Sequence, residues 1–405
     1  MTSQTILILG GSYAGVSVAH YLLQHVVPQL QDRTTVTLVS ASSEILCRPA
    51  CPRAMISDDM FDQGKLFVSI AQVFDKYPKH LFRFVHGTAT EWDHTARTVA
   101  VSSSTSSAST ETISYHALVI ATGATTTSPL LGLQGDSSSL KSGWAEFRAA
   151  LPNAKSIVIA GGGPAGVETA GELGEYLNGR AGFFSSRLEN PKVDITLVTA
   201  SSKLLPILRP ALATQAEAEL AKVGVKVTTG VRVKDVVSEA GPEAAVDTNA
   251  TITLDNGSEL HADLFISATG MTPNTSFVAD ESLLAPDGRV QTNSSTLRVD
   301  GAGPRVYAVG DVASYARPAV HAILEAVPVI CANIEKDLQG VVGEDRVFKE
   351  DKRETQLVPI GKSRGVGALM GYKVPSFFVW LIKGRDYWMW TTGGLWSGKQ
   401  WAKKK

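Results

Sequence analysis

Cysteine is scarce in this sequence of 405 residues, which contains three. Three thiols are too few for a disulfide-stapled scaffold, and they suit a reducing compartment. The formal net charge of −1 at pH 7 gives no general attraction to nucleic acid or to an anionic membrane. Long apolar runs are also missing, because no stretch of about 18 or more consecutive apolar residues occurs. These absences predict a cytoplasmic protein without a spanning helix and without a nucleic-acid partner.

Targeting signals and metal-ligand patterns are absent as well. The first apolar run starts at Ile6, which leaves no room for a basic signal region or an Arg-rich transit segment. No metal-ligand spacing stands out, so no metal is expected. The length of the chain predicts two or three globular domains. We expect a monomer or a homodimer.

The sequence contains one motif twice. Residues 6–15, ILILGGSYAG, return as residues 157–166, IVIAGGGPAG, and residues 118–123 return in similar form as residues 265–270. A β-strand that leads into a glycine turn and a helix binds phosphate, because free backbone N–H groups and the helix dipole face the anion. Two such units predict two dinucleotides. The economical pair is one bound flavin and one exchanging nicotinamide.

The first glycine turn follows the Gly-x-Gly-x-x-Gly pattern except at its middle glycine, where a serine stands. Serine is small enough to let the backbone approach a pyrophosphate. The residues of this turn that we expect to bind the flavin nucleotide are Gly10, Gly11, Ser12, Tyr13, Ala14 and Gly15. Ser40 ends the second strand, where an acidic residue usually binds the ribose, and Glu44 is a nearby substitute.

The second glycine turn matches the pattern fully. Its residues expected to bind nucleotide are Gly161, Gly163, Pro164 and Gly166. Thr199 ends the next strand, so no carboxylate is placed there to bind a 2′-hydroxyl. Lys203 either accepts a 2′-phosphate, which favours NADPH or tolerance of both nucleotides, or is a solvated surface charge.

Two acidic residues stand where ligands pass in such a fold. Glu168 lies two residues after the last glycine of the second turn, beside the expected path of the nicotinamide. Alternatively, Glu168 and Glu172 only compensate the helix dipole. Asp311 follows Gly310 at the end of an apolar strand, where ligands meet a parallel sheet. It either binds the ribityl end of a flavin or caps a helix, and the two roles are compatible.

Together these blocks resemble the two-dinucleotide-binding flavoprotein superfamily, the pyridine nucleotide-disulfide oxidoreductases. Within it the chain is most similar to the apoptosis-inducing-factor-like, ferroptosis-suppressor-like NAD(P)H:quinone oxidoreductases of fungal type. The resemblance rests on residues 10–15, 53–55, 121–123 (Ala121, Thr122 and Gly123), 161–168, 268–270 (ending at Gly270), 310–311, 359–367 and 378–384. It implies that Asp311 holds the flavin, that Glu168 helps to hold the nicotinamide, and that Arg53 lies near the flavin.

We therefore predict an α/β fold with two nested, three-layer Rossmann-like domains and a small C-terminal α+β segment. The FAD-binding domain would comprise residues 1–127 and 271–345, the NAD(P)H-binding domain residues 128–270, and the C-terminal segment residues 346–405. FAD is expected to bind without a covalent bond, because no linkage motif is visible. The local patterns also predict strand 5–9, a helix over 14–27, a helix from Pro164 to Asn178, and antiparallel meanders over 83–116 and 225–261.

The electron acceptor depends on the cysteines. Three residues separate Cys47 from Cys51, and this spacing disfavours a strain-free disulfide, so two ordinary small residues are favoured over a redox pair. His321 is either a proton donor to a quinone or to reduced flavin, or a packed core residue. We predict a quinone acceptor. The alternatives are a cysteine-dependent disulfide reductase or peroxidase, and an NAD(P)H-sensing signalling flavoprotein with little turnover.

The C-terminal segment is rich in aromatic and basic residues. The aromatic residues concerned are Phe377, Phe378, Trp380, Trp388, Trp390, Trp396 and Trp401, and lysines occupy positions 403–405. Such a segment either contacts the interface of an intracellular membrane peripherally, where a lipophilic quinone would be met, or packs against the body of the protein.

Overall fold

The computed structural model describes residues 4–30, 33–104, 109–241 and 244–405. Residues 105–108, part of the hairpin tip that the Ser/Thr-rich stretch 102–112 predicts, lie outside this range. The described part is a mixed α/β structure with two large sheets, as predicted.

The first sheet has seven strands. In spatial order they are Val306–Ala308, Ala117–Ile120, Gln4–Leu9, Thr34–Ser40, Phe82–Asp93, Thr98–Ser103 and Thr110–Ser114. The first five strands pair in parallel. The fifth, Phe82–Asp93, is long enough to pair also with Thr98–Ser103, and together with Thr110–Ser114 these two strands form an antiparallel meander. The predicted strand 5–9 and the first meander are confirmed.

The helix after the first glycine turn runs over Tyr13–Tyr21 and is buried throughout. It continues through a π-helical turn, Leu22–Val26, and a 3₁₀ turn, Val27–Gln29, that contains Pro28. Proline removes a backbone donor and clashes with the preceding turn, so it accompanies the end of the helix where the sequence predicts it.

The second sheet has six strands. In spatial order they are Val225–Thr229, Asp194–Thr199, Ser156–Ala160, Glu259–Ser267, Asp247–Leu254 and Val233–Val237. The prediction of one meander over 225–261 is wrong for its first strand, since Val225–Thr229 pairs in parallel with Asp194–Thr199. Alternating apolar residues look the same in a parallel edge strand and in a meander. The crossover helix Pro210–Ala221 decides the direction.

The longer helices cover the sheets. They are Ser137–Ala150, Pro164–Asn178, Pro210–Ala221 and Val320–Gln339, and the second has the predicted bounds. Several short elements follow strand Thr34–Ser40 along the chain. They are strands Glu44–Leu46 and Phe67–Ser69, helices Cys51–Ala54, Gln63–Leu66 and Ile70–Phe74, and 3₁₀ turns Arg48–Ala50 and Asp58–Met60. Four further 3₁₀ turns are Pro129–Leu131, Leu151–Asn153, Glu281–Leu283 and Asp300–Ala302. Two crossing strands, Ala124–Thr126 and Met271–Pro273, pair with each other close to the predicted domain boundaries.

The C-terminal segment is a small α+β unit that contacts both predicted domains. Its strands are Gln356–Ile360, Arg364–Leu369 and Tyr372–Lys373, and its helical turns are Ser376–Val379, Trp380–Gly384, Met389–Trp396 and Lys399–Trp401. A Cβ atom on Gly171 would lie 2.9 Å from the Ile360 Cα, so the first strand crosses helix Pro164–Asn178 at a close approach. Among the described helices, none is long and apolar enough to cross a bilayer.

Candidate functional site

A single cleft of roughly 780 Å³ collects residues from both glycine turns and from the C-terminal segment. The predicted site residues that line it are Gly10, Gly11, Ser12, Tyr13, Ala14, Ser40, Ala121, Thr122, Gly123, Gly163, Pro164, Glu168, Gly270, Gly310 and Asp311. Gly15, Gly161 and Gly166 belong to the same two turns but do not line the cleft. Arg53, Lys203 and His321 do not line the cleft.

The first turn requires its glycines for steric reasons. Gly10 has φ +114°, and a Cβ atom there would lie 2.1 Å from the carbonyl oxygen of Ala121. A Cβ atom on Gly15 would lie 1.8 Å from the Gly10 carbonyl oxygen. Ser12 at the N-cap makes no side-chain hydrogen bond to the helix, so the first N–H groups face the cleft without a protein cap. This is the cradle that a dinucleotide pyrophosphate fits.

The second turn repeats this geometry. Gly161 has φ +119°, and a Cβ atom there would lie 2.2 Å from the Ala268 carbonyl oxygen. A Cβ atom on Gly166 would lie 1.9 Å from the Gly161 carbonyl oxygen, whereas Gly163 at the N-cap has nothing within 4 Å of its Cβ position. The sequence repeat is therefore a structural repeat, and both turns fit a pyrophosphate.

The strand ends beside the two turns also match. A Cβ atom on Gly11 would lie 2.6 Å from Ser40 Oγ, and one on Gly162 would lie 2.6 Å from Thr199 Oγ1. Each unit therefore presses a hydroxyl side chain against its glycine turn. In neither unit does a carboxylate occupy the strand end.

Charged residues near the strand ends are already engaged. Glu44 lines the cleft, and its Oε2 accepts hydrogen bonds of 2.5 Å from Ser137 Oγ and Lys141 Nζ. Lys203 Nζ donates to the carbonyl oxygens of Pro206, at 3.0 Å, and Leu208. Lys203 therefore closes its own loop, an option that the sequence pattern alone did not indicate.

Asp311 is paired with Arg48, whereas Arg53, the arginine expected near the flavin, does not line the cleft. Arg48 Nη1 lies 3.1 Å from Asp311 Oδ2, and both residues line the cleft. Arg53 is buried elsewhere, where its Nε and Nη2 donate to the two carboxylate oxygens of Glu172 at 2.9 and 2.8 Å. Two arginines five positions apart look equivalent in sequence, and only packing decides which one faces the cleft.

A buried ion pair lies in the cleft close to the second glycine turn. Lys383 Nζ lies 2.5 Å from Glu168 Oε1 and also donates to the Leu357 carbonyl oxygen at 3.1 Å. Burial raises the pKa of Glu168 to about 7, although the Lys383 charge opposes this rise. Sequence reasoning missed Lys383. The signal that could have identified Lys383 is that it is the single cation in the apolar run FFVWLIKG, because a cation in such a run either reaches the surface or is paired with an opposite charge.

The cysteines lie outside the cleft. Cys47, Cys51 and Cys331 are free and buried. Burial raises the pKa of Cys47 to about 11 and that of Cys51 to about 12, so both thiols are protonated near neutral pH. Cys47 Sγ accepts a hydrogen bond from the Tyr13 hydroxyl at 3.5 Å. These are features of packed thiols rather than of nucleophiles.

His321 is exposed, whereas its neighbours Ala319, Val320 and Ile323 line the cleft. The alternative that it is a packed core residue is therefore wrong, whereas its role as a proton donor stays a prediction. It lies on the first turn of helix Val320–Gln339, directly after Val320, which lines the cleft.

Comparison with known proteins agrees with this geometry. The sequence matches the pyridine nucleotide-disulphide oxidoreductase family over residues 4–326. It is 64% identical over 411 residues to oxidoreductase phnG of Penicillium herquei, covering 99% of this chain and 98% of that protein. It is 27% identical over 395 residues to ferroptosis suppressor protein 1 of Mus musculus, covering 94% and 92%. The water-forming NADH oxidase from Lactobacillus brevis bound to NADH has the same fold, with a TM-score of 0.65 and 18% identity, covering 90% of this chain and 74% of that one.

The family match covers both glycine turns, strand Val306–Ala308 and Asp311, which follows that strand. The described residues also fit the two dinucleotides of that family, since two backbone cradles and an acidic strand end meet in one cleft. The chain belongs to the pyridine nucleotide-disulphide oxidoreductase family, and it is an FAD-dependent NAD(P)H oxidoreductase.

Proposed function

We propose that the second substrate is a quinone, which takes the electrons of NAD(P)H through the bound flavin. The observation that carries the proposal is that no described cysteine lines the cleft, while the C-terminal segment contributes Lys383 to the cleft and exposes apolar side chains such as Phe377 and Phe378. A flavin passes electrons to a quinone directly, so no thiol is required. The resemblance to the ferroptosis-suppressor-like quinone oxidoreductases supports the same acceptor.

The roles of the site residues follow from their positions. The turn at residues 10–15 would hold the FAD pyrophosphate. Asp311 would accept hydrogen bonds from the ribityl hydroxyls of FAD, either after Arg48 moves away from its carboxylate or while Arg48 stays bound to it. The turn at residues 161–166 would hold the nicotinamide nucleotide, with Glu168 beside its reactive end. FAD bound in the cleft would supply the chemistry of hydride acceptance and electron transfer, for which the chain's own side chains have no equivalent. The contribution of the protein itself would be to position both ligands in one cleft.

The thiol-dependent alternative is disfavoured by the environment of the cysteines. A cysteine nucleophile needs access and a lowered pKa, whereas Cys47 and Cys51 are buried with raised pKa values. Steady-state assays of the FAD-loaded enzyme should therefore give a higher kcat/KM with a short-chain quinone than with disulfides or peroxides. A preference for a disulfide or a peroxide contradicts the proposal. Negligible turnover with every acceptor would instead favour the signalling flavoprotein.

The nucleotide preference is proposed to be weak. No carboxylate stands at Thr199 to repel a 2′-phosphate, and Lys203 is engaged by backbone carbonyls, so it offers little attraction. We expect NADH and NADPH to reduce the flavin with kcat/KM values within about tenfold, or 1.4 kcal/mol, of each other. Stopped-flow reduction with each nucleotide measures this ratio, and a larger preference for either one refutes the inference.

The tail patch, defined as Phe377, Phe378, Leu381 and Trp390, is the proposed membrane contact. All four side chains are exposed, and Trp390 Nε1 donates to the Ile382 carbonyl oxygen at 3.2 Å, one residue before Lys383 in the cleft. This hydrogen bond ties the patch to the backbone next to a residue of the cleft, and we propose that a lipophilic acceptor reaches the cleft from this side. Exposed aromatic side chains of this kind anchor peripheral proteins at the lipid interface.

Trp396 and Trp401 do not share this role. Trp396 and Trp401 are buried, with ring centroids 4.7 Å from Tyr13 and 5.8 Å from Tyr21. The two interpretations of the tail thus apply to different residues. The packing interpretation describes Trp396 and Trp401, and the membrane interpretation is kept for the tail patch alone.

Liposome flotation tests the tail patch with a matched control. Phe377→Ser with Phe378→Ser should weaken flotation and activity on long-tailed quinones, and leave activity on short-chain quinones. The control is Phe183→Ser with Phe184→Ser, because this pair is also exposed, at 81% and 98%, and also edge-to-face. Equal flotation of both double variants, or none by the wild type, contradicts membrane contact through the patch.

A further inference from the structure

A second buried cluster adjoins the Glu168–Lys383 pair. We call Arg53, Glu172 and Tyr387 the latch cluster. The Tyr387 hydroxyl donates to Glu172 Oε1 at 2.9 Å, and the Arg53 guanidinium binds both oxygens of the same carboxylate. The Arg53 guanidinium also lies 4.7 Å from the centroid of the Tyr387 ring. One carboxylate thus joins helix Cys51–Ala54 to the C-terminal segment.

The latch cluster pins the stretch of chain that carries Lys383. The Tyr387 N–H donates to the Lys383 carbonyl oxygen at 2.5 Å, and Arg53 Nη1 donates to the Arg385 carbonyl oxygen at 3.3 Å. Tyr387 and Trp388 have φ values of 52° and 68°. Side-chain-bearing residues hold this left-handed conformation only where surrounding contacts impose it, and the latch cluster supplies those contacts for Tyr387.

The geometry links the two ion pairs through one helix. Glu168 and Glu172 are one turn apart on helix Pro164–Asn178, so they present their carboxylates on the same face. Lys383 and Tyr387 are likewise four positions apart on the tail, and each binds one of these carboxylates. A shift of Tyr387 relative to Glu172 must therefore move Lys383 relative to Glu168.

We propose that the latch cluster positions Lys383 against Glu168, so that the C-terminal segment controls the charge pair at the hydride-transfer end of the cleft. Arg53, Glu172 and Tyr387 are then positioning residues, and Lys383 and Glu168 are the groups that face the ligands. The proposal rests on the cleft and its cofactors, and it holds for any final acceptor.

A purely structural role for the cluster makes a different prediction. The charged groups that face Glu168 are Lys383 from the C-terminal segment, Glu172 from its own helix and Arg53 from the neighbouring helix. The centroid of the Tyr387 ring lies 4.7 Å from the Arg53 guanidinium and 5.7 Å from Lys383 Nζ. Lys383 is the nearest cation. If it is displaced, Glu168 keeps its burial and loses its partner, so it binds a proton more tightly. A merely structural bond would change the stability of the protein without changing this proton affinity.

The test is an infrared titration of the FAD-loaded oxidised enzyme without a nucleotide or an acceptor. Glu168→Gln identifies the absorption of the neutral Glu168 carboxyl. In Tyr387→Phe, which removes only the hydroxyl, the midpoint should rise by about 1 pH unit, the smaller end of the effect of a nearby opposite charge. The matched control is Tyr21→Phe, because the Tyr21 hydroxyl also binds the tail, at the Lys405 carbonyl oxygen 2.9 Å away, far from the cluster along the chain. Its midpoint should stay at the wild-type value.

A double-variant comparison completes the test. Lys383→Met should raise the midpoint at least as far, and Tyr387→Phe combined with Lys383→Met should add nothing, since both act on the same ion pair. If Tyr387→Phe does not fold, Arg53→Lys replaces it, because it keeps the charge and loses the paired hydrogen bonds and the Arg385 contact. An unchanged midpoint in the folded variant, or a midpoint that also moves in Tyr21→Phe, overturns the proposal.

Discussion

His20 should make the stability of this protein depend on pH, because its ring binds the C-terminal segment in the neutral form. Nε2 lies 2.7 Å from the Trp396 carbonyl oxygen, and Nδ1 lies 2.9 Å from the Tyr77 hydroxyl. A carbonyl only accepts, so Nε2 carries the proton and Nδ1 accepts from the tyrosine. The ring stacks on Phe74 with a centroid distance of 4.2 Å. The side chain is fully buried, so a second proton on the ring would lack solvation by bulk water.

The size of this pH effect on the free energy of unfolding follows from the difference in the pKa of His20 between the folded and the unfolded state. Burial lowers the pKa of His20 from 6.5 to about 4, although the hydrogen bond to Trp396 opposes this change. Between pH 6.5 and about pH 4, the unfolded state therefore binds a proton at His20 that the folded state does not bind. The contribution of His20 to stability is complete above pH 6.5 and is lost as the pH falls towards 4. At 1.36 kcal/mol per pKa unit, the loss is about 2 kcal/mol between pH 7 and pH 5 and about 3 kcal/mol at pH 4.

Urea unfolding at pH 7 and pH 5, followed by tryptophan fluorescence, measures the effect against His20→Gln. Glutamine keeps an N–H donor for the Trp396 carbonyl and does not titrate. Glu168 has a raised pKa and stabilises the folded state as the pH falls from about 7, but it does so in both proteins, so the difference between them isolates His20. The wild type should lose about 2 kcal/mol more than the variant. Equal losses would refute the reasoning.

Three further outcomes are expected. Asp311→Ala should lower FAD occupancy, measured from flavin absorbance per protein, because the ribityl hydroxyls lose a charged acceptor worth about 1.5–3 kcal/mol; unchanged occupancy contradicts its assigned role. Cys47→Ala and Cys51→Ala should keep most of the quinone reductase activity, and loss of turnover with the flavin still bound would indicate a thiol mechanism. Truncation after Asp386 should give an unstable or insoluble protein, because it removes the buried Trp396 together with its contact to the first domain; a stable truncation that binds flavin would show that this packing is dispensable.

Local steric rules made much of the fold predictable. A glycine turn between a strand and a helix needs glycine wherever a Cβ atom would meet backbone, as at Gly10, Gly15, Gly161 and Gly166. These requirements act within a few residues, so the sequence displays them directly. The two Rossmann-like units, their cofactors and the helix at Pro164 followed from this local chemistry.

The rest depended on contacts between distant segments. Whether Arg48 or Arg53 faces the cleft was decided by the position of Glu172, more than 100 residues along the chain. Lys383 enters the site only because the C-terminal segment folds back over helix Pro164–Asn178. The proton affinities of the cysteines depend on burial, which no spacing of residues records. The sequence by itself therefore determined which chemistry the protein carries out, and the tertiary structure decided which charged side chains surround it, because desolvation and pairing arise only when remote parts of the chain pack together.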